Sequence, residues 1–183
     1  MNPLATPGAR FCELLRVENF RDATAHASAL FRDCFNSDFP TPSDGVLPVS
    51  TPAANWQQDV AFYQWPGGPR EAVGFVNWIR VGDFHLCGGM CVQKTFYRRL
   101  PREHFRACSE RGGVAQILLQ SGWARFDTKA VFGYCGDAKA RVVDLRAGFV
   151  QTRYDKLLVK WLREPPEPER GAMIDRAAAI GPF

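Results

Sequence analysis

"GDAKARVVDLRAGF", Gly136 to Phe149, is the stretch on which the reading of the fold turns. Asp137 can accept a backbone N–H in a first helical turn, and Gly148 suits the left-handed residue that stops a helix, so start and stop signals bracket one helix. At about 100° per residue, Ala138, Val142, Leu145 and Phe149 fall on one stripe, read as the core side, and Ala140, Asp144 and Ala147 on the other. An outer face of two alanines and an acid is either filler of high helix propensity or room left for something that passes close by.

Upstream, "RFCELLRVENF" reads as a first strand, and Asp22 to Phe35 as an amphipathic helix with Ala23, Ala27, Leu30, Phe31, Cys34 and Phe35 on one stripe. Asn36 to Pro52 is rich in Pro, Ser, Asp and Gly and is expected to be a loop, ordinary surface or the border of a substrate pocket. "DVAFYQW", "PGGP" and "EAVGFVNWIRV" form strand, turn and a long strand that is apolar on both faces, as a strand inside a covered sheet must be. "FHLCGGMCVQ" follows as an antiparallel strand whose Gly88 and Gly89 mark a bulge or the close approach of a ligand or another backbone. "PREHFRACSE" and "GGVAQILLQSGWARF" read as two helices, and "AVFGYCG" and "YDKLLVKWL" as strands on either side of the opening helix. "REPPEPER" is expected to leave the fold as a polyproline-like arm, which divides the chain into a domain over 1–163 and a Pro-rich C-terminal extension over 164–183.

This order of elements, from Arg10 to Leu162, resembles the GNAT (Gcn5-related N-acetyltransferase) superfamily. The best-matching piece is the opening one. GNAT proteins often carry a pattern close to N-x-x-A-x-x-L-Y-x-K-x-G-F there, and Asp137, Ala140, Val143, Asp144, Arg146, Gly148 and Phe149 stand at the matching places. The resemblance implies an α/β (α+β) single domain with a central mixed, mostly antiparallel sheet flanked by helices on both faces. It implies acetyl-CoA or another acyl-CoA as cofactor, with no metal, and transfer of the acyl group to an amine of a small molecule or peptide. In the family this helix flanks the pantetheine arm, so the small face would border the cofactor at Asp137 and Ala140. The second family signature, Q/R-x-x-G-x-G/A, supplies backbone N–H groups for the pyrophosphate. It can be laid on Glu110, Gly113 and Ala115, which places the phosphates at Arg111, Gly112, Gly113, Val114 and Ala115, with an acid where the family has Gln or Arg. A helix start with adjacent glycines is a physically suitable anion site. The splayed glycine-bearing strand of the family matches Gly89 to Gln93, so the backbone of Cys91, Val92 and Gln93 would hold the thioester end.

Acyl transfer needs a deprotonated amine, a polarised thioester carbonyl and an acid for the leaving thiolate. Asp144 occupies the place of the family tyrosine that gives this proton, and an ionised Asp cannot do so unless buried or beside another acid. Tyr134, on the strand before the helix, is the nearest substitute, with a core position as its alternative reading; the alternative for Asp144 is an ion pair with Arg141. For the base, Asp83 and His85 lie near the hairpin bend, and His has the intrinsic pKa for the task, although a lone strand histidine is commonly structural. His85, Cys87 and Cys91 share strand parity, but spread over about 20 Å of strand they cannot converge on zinc, so no metal is expected.

The chain of 183 residues, with 46% hydrophobic and 23% charged residues, is long enough to bury a core and excludes disorder and coiled coil. Its six scattered cysteines without a CxxC pair point to reduced thiols and a cytoplasmic protein, and no apolar run suggests a membrane span or signal peptide. Between Lys94 and Arg111 six basic residues face only Glu103 and Glu110. That run is a solvated face or a site for an anion, either phosphate or, by resemblance to acyl-homoserine-lactone synthases, an acidic acyl carrier protein. No nucleic-acid-binding motif accompanies it, and neither nucleic acid nor membrane is an expected partner. A homodimer stays open at this point, as does a non-catalytic module that has kept the fold.

Overall fold

A computed structural model describes residues 10–39 and 55–182. The loop expected over Asn36 to Pro52 lies largely outside the described residues. A seven-stranded sheet in the order β1-β2-β3-β4-β5-β7-β6 forms the centre of one domain. Its strands are β1 (Leu15–Phe20), β2 (Trp56–Gln64), β3 (Arg70–Val81), β4 (Phe84–Val92), β5 (Ala130–Tyr134), β6 (Val150–Gln151) and β7 (Leu157–Trp161). All neighbours are antiparallel except β4 and β5. β3 is apolar on both sides, as its sequence requires, because both faces of the sheet are covered. On one face, here face A, Val76 and Trp78 meet helix α5 (Gly113–Trp123), the sequence's Gly148-stopped helix α6 (Ala138–Arg146), and the short helices α1 (Phe11–Leu14), α3 (Phe96–Arg99) and α4 (Arg102–Glu110). On face B, Phe75 packs under α2 (Thr24–Phe35), and Ile79 under α7 (Glu167–Ile180).

Three elements differ from the sequence reading. "RFCELLRVENF" is not all strand: Glu13 folds back on Arg10, accepting its backbone N–H at 3.0 Å, and the resulting turn buries Phe11 and Leu14 before β1 begins. The arm expected over "REPPEPER" is instead the start of α7, where Pro166 stands before the helix and Pro168 in its first turn, positions whose N–H groups have no helical partner to lose. Met173, Ala177 and Ile180, spaced one helical turn apart, are buried in the core shared with β3, β4, β5 and β7. The faces of α6 are also reversed. Val142 and Leu145 are 47% and 44% exposed, whereas Ala147 is buried and Ala140 packs on the core. The helix approaches the sheet by its small residues, and only Phe149, beyond its end, reaches the core as expected.

Candidate active site

The sheet opens at its centre. β4 and β5 pair in parallel from Phe84/Ala130 to Cys87/Gly133, and no pairing between them continues to Gly88–Val92. At the same level β4 carries a bulge: Met90 pairs with Val76 and Cys87 with Trp78, so Gly88 and Gly89 together oppose Asn77. Gly89 has φ +71°, a conformation that glycine adopts without strain, so the expectation of a bulge in this strand is met. Beyond it, Cys91 and Val92 keep β3 as neighbour on one side, Gln93 N–H donates to Val73 O at 2.9 Å, and the other edge of β4 faces the parting.

α6 borders the parting on face A. Asp137 accepts from Lys139 N at 2.7 Å and Ala140 N at 3.0 Å, so this side chain is committed to capping its own helix. Asp144 turns toward the sheet rather than to Arg141. Burial raises its pKa above the ordinary carboxylate value, opposed by a hydrogen bond from the Cys135 thiol and reinforced by Asp137. Cys87, the last residue of β4 paired with β5, lies close enough to be influenced by this carboxyl, and burial holds its own thiol well above the ordinary value. The acid that sequence alone would leave ionised is thus placed where burial raises its pKa.

The start of α5 has two successive residues with positive φ, Gly112 at +80° and Gly113 at +87°. A Cβ on Gly112 would lie 1.9 Å from Gln116 Oε1, and one on Gly113 would lie 2.9 Å from Tyr97 Oη. Tyr97 also accepts the N–H of Val114 at 3.1 Å, so one first-turn donor is already used by a side chain of α3. Glu110, the acid in the family's Gln or Arg position, accepts from Arg106 Nε at 2.9 Å on the exposed side of α4. That ion pair offsets its charge. Arg111 lines a cleft of about 430 Å³ between α1 and α4 with Phe11, His104 and Glu110, to one side of the α5 start.

The remaining sequence candidates are dispersed. Asp83 pairs with Arg176 at 2.7 Å at the hairpin bend, about 20 Å along β4 from the bulge, too far to act there. His85 lies on face A, 1% exposed, stacked on Phe126 at 3.8 Å and bonded through Nδ1 to Thr128 at 2.8 Å. Burial, with the nearby Arg80, lowers its pKa to about 4. A histidine so placed does not take a proton from an ammonium near neutral pH. Tyr134 is half-buried on face B, across the sheet from Asp144, so the two candidate acids stand on opposite sides of the parting. Among the described residues no cluster of three metal-ligating side chains occurs, and no helix is long and apolar enough to cross a membrane.

No protein-family model matches the sequence, and no curated protein matches it. Solved structures match it in shape. The ribosomal-protein-S18-alanine N-acetyltransferase from Escherichia coli aligns with TM-score 0.53 at 10% identity, over 84% of this chain and 97% of that one. YhhK from E. coli, described as an N-acetyltransferase and solved with coenzyme A bound, aligns at 0.51 and 14% identity, over 80% and 98%. A GNAT-family acetyltransferase homologue from Desulfovibrio desulfuricans gives 0.51 at 12%, over 81% and 99%. The protein therefore has the GNAT fold. The neighbours are acetyltransferases by description, and the parting of β4 and β5 is a feature of this chain's own geometry.

Proposed function

We propose that the protein is an acyl-CoA-dependent N-acyltransferase acting on an amine of a small molecule or peptide. The observation that carries the reading is the parting of β4 from β5 beside the Gly88–Gly89 bulge, bordered by the small face of α6. A bound acyl-CoA would supply a thioester whose carbonyl carbon the amine attacks as the carbon–sulfur bond breaks. The backbone of Gly89 to Gln93 holds and polarises that end, Ala140 gives the arm room, and the α5 start from Gly112 to Ala115, with Arg111 beside it, receives the phosphates. Asp144, whose pKa burial raises, is the group placed to give a proton to the leaving sulfur, and the proton released by the acylated nitrogen restores it by way of solvent. Tyr134 faces the acceptor side.

A second reading, a coenzyme A-binding module without turnover, is favoured by Tyr97, which already takes the Val114 N–H at the phosphate end. Thiol release from acetyl-CoA over a panel of primary amines separates the two. The acyltransferase releases thiol with at least one amine and loses that activity on Asp144→Asn; cofactor binding without release from any amine leaves the module.

A further inference from the structure

Two clefts meet at α1 on face A. One, of about 430 Å³, lies between α1 and α4, and the other, also about 430 Å³, lies between the start of β1 and α5. Cys12 and Arg111 line both, so the two form one groove that passes beside the glycine start of α5. Each half is within the range of about 300–1,000 Å³ in which small-molecule sites fall. Their chemistry differs. In the first, Phe11 is the floor, 2% exposed and anchored in the core, and Ala107 of α4 is the wall. In the second, Leu15 and Ile117 lie beneath a rim of Arg16, Gln120 and Ser121.

Charge decides what the groove can hold. Its acids are engaged or directed away: Glu110 accepts from Arg106 Nε at 2.9 Å, Glu13 pairs with Arg10 at 2.9 Å, and the Glu103 side chain is 79% exposed. Arg16 and Arg111 have neither an ion pair nor a side-chain hydrogen bond among the described residues. A surface arginine is satisfied by water, and an apolar wall alone specifies nothing. Here two unpaired guanidinium groups adjoin an apolar cleft, and that combination matches a molecule with an anionic head and an apolar body. We infer that the groove binds an aliphatic monocarboxylate, with its carboxylate between Arg16 and Arg111 and its chain running past Cys12 to Phe11 and Ala107. A carboxylate accepts two parallel N–H bonds from one guanidinium, and the amide of Gln120 and the hydroxyl of Ser121 offer neutral donors to its remaining lone pairs. The groove lies at the edge strand β1, away from the parting between β4 and β5. Arg111 nevertheless directly precedes Gly112, so a carboxylate that holds its guanidinium withdraws it from the phosphate end of the cofactor site. Carboxylate and coenzyme A then weaken each other by the same factor. This coupling rests on the acyltransferase reading above.

The test is calorimetric titration of the full chain with butanoate, hexanoate, octanoate and octylamine. Affinity is expected to rise by about two- to fourfold per methylene along the series, as burial of the chain requires. Octylamine, with the opposite charge, is expected to bind at least about tenfold more weakly than octanoate. Arg16→Gln, at an exposed position, weakens octanoate binding at least about fivefold and leaves coenzyme A affinity unchanged. Ala107→Phe, which fills the cleft at α4, removes the dependence on chain length. Octanoate also slows the reaction of Cys12, the exposed cysteine of the six, with a maleimide, and at saturation raises the Kd of coenzyme A at least about threefold. No binding of octanoate by the wild type overturns the inference, as does equal affinity for octanoate and octylamine, or octanoate binding that both variants keep. Should Ala107→Phe not fold, Arg16→Gln and the protection of Cys12 decide the matter. A coenzyme A affinity indifferent to bound octanoate overturns the sharing of Arg111. Octanoate binding as described in a chain that binds no coenzyme A would contradict the acyltransferase reading and leave the carboxylate site standing.

Discussion

Whether Asp144 can give up a proton near neutrality depends on what surrounds its carboxyl. Desolvation beside Cys87 and Cys135 raises its pKa, and the sign of two consequences follows. In the unfolded chain the group ionises at about 3.9. A folded value above that contributes stability that is full at lower pH and lost as pH rises through the folded value. Asp144→Asn is therefore expected to be at least as stable as wild type at pH 7 by denaturant unfolding, while its kcat falls by about a hundredfold at unchanged coenzyme A affinity. His85 runs the other way. Its folded pKa of about 4 lies below the ordinary value near 6.5, so its contribution is present above that ordinary value and lost as pH falls toward 4, by about 2–3 kcal/mol. Replacing it together with its partner, as His85→Phe with Thr128→Val, is expected to flatten the acid limb of the stability curve without lowering turnover. None of this environment was legible in the sequence. Asp144 and His85 could be nominated by residue type and spacing, but which one is buried beside the parting depends on packing between strands distant in the chain.

The start and stop of α6 were legible because they rest on local chemistry. Asp137 caps α6 as its side chain suggested, and the glycine pair of β4 makes the bulge. The faces of α6 were not, because a helix that packs by alanine against a sheet leaves its larger residues outside, and hydrophobicity alone assigns the opposite orientation. The C-terminal prolines misled for a related reason: they are compatible with an extended arm and equally with a helix start, and the stripe of Met173, Ala177 and Ile180 becomes decisive only once a sheet lies beneath it. Two outcomes belong to this scale. Met173→Ala, at a fully buried site, is expected to cost about 2–5 kcal/mol in chemical denaturation. Gly113→Ala places a Cβ 2.9 Å from Tyr97 Oη at φ +87°, and is expected to weaken coenzyme A binding about tenfold in a variant that still folds.

Across the whole molecule, the order of strands and helices, together with the motif around α6, carried the resemblance that implied the fold, even though the first strand, the faces of α6 and the C-terminal segment differ from their sequence reading. Long-range polar contacts left no such trace. Asp59, fully buried in β2, accepts from Asn19 at 2.8 Å, Trp78 Nε1 at 2.9 Å and Arg125 at 2.7 Å through both its oxygens, tying β1, β2, β3 and the segment after α5 on face A. Removing the acid leaves the buried Trp78 N–H and the Asn19 amide without their acceptor and releases the part-exposed Arg125, so Asp59→Ala is expected to cost about 1–3 kcal/mol in unfolding free energy. Every functional statement depends on the parting of β4 and β5 receiving an acyl-CoA, and one measurement addresses that directly: calorimetric titration of the purified chain with acetyl-CoA and with coenzyme A. The parting, the small face of α6 and the glycine start of α5 predict saturable one-to-one binding of both in the micromolar range. Absence of heat at millimolar concentrations of either ligand, in folded protein, would contradict the account.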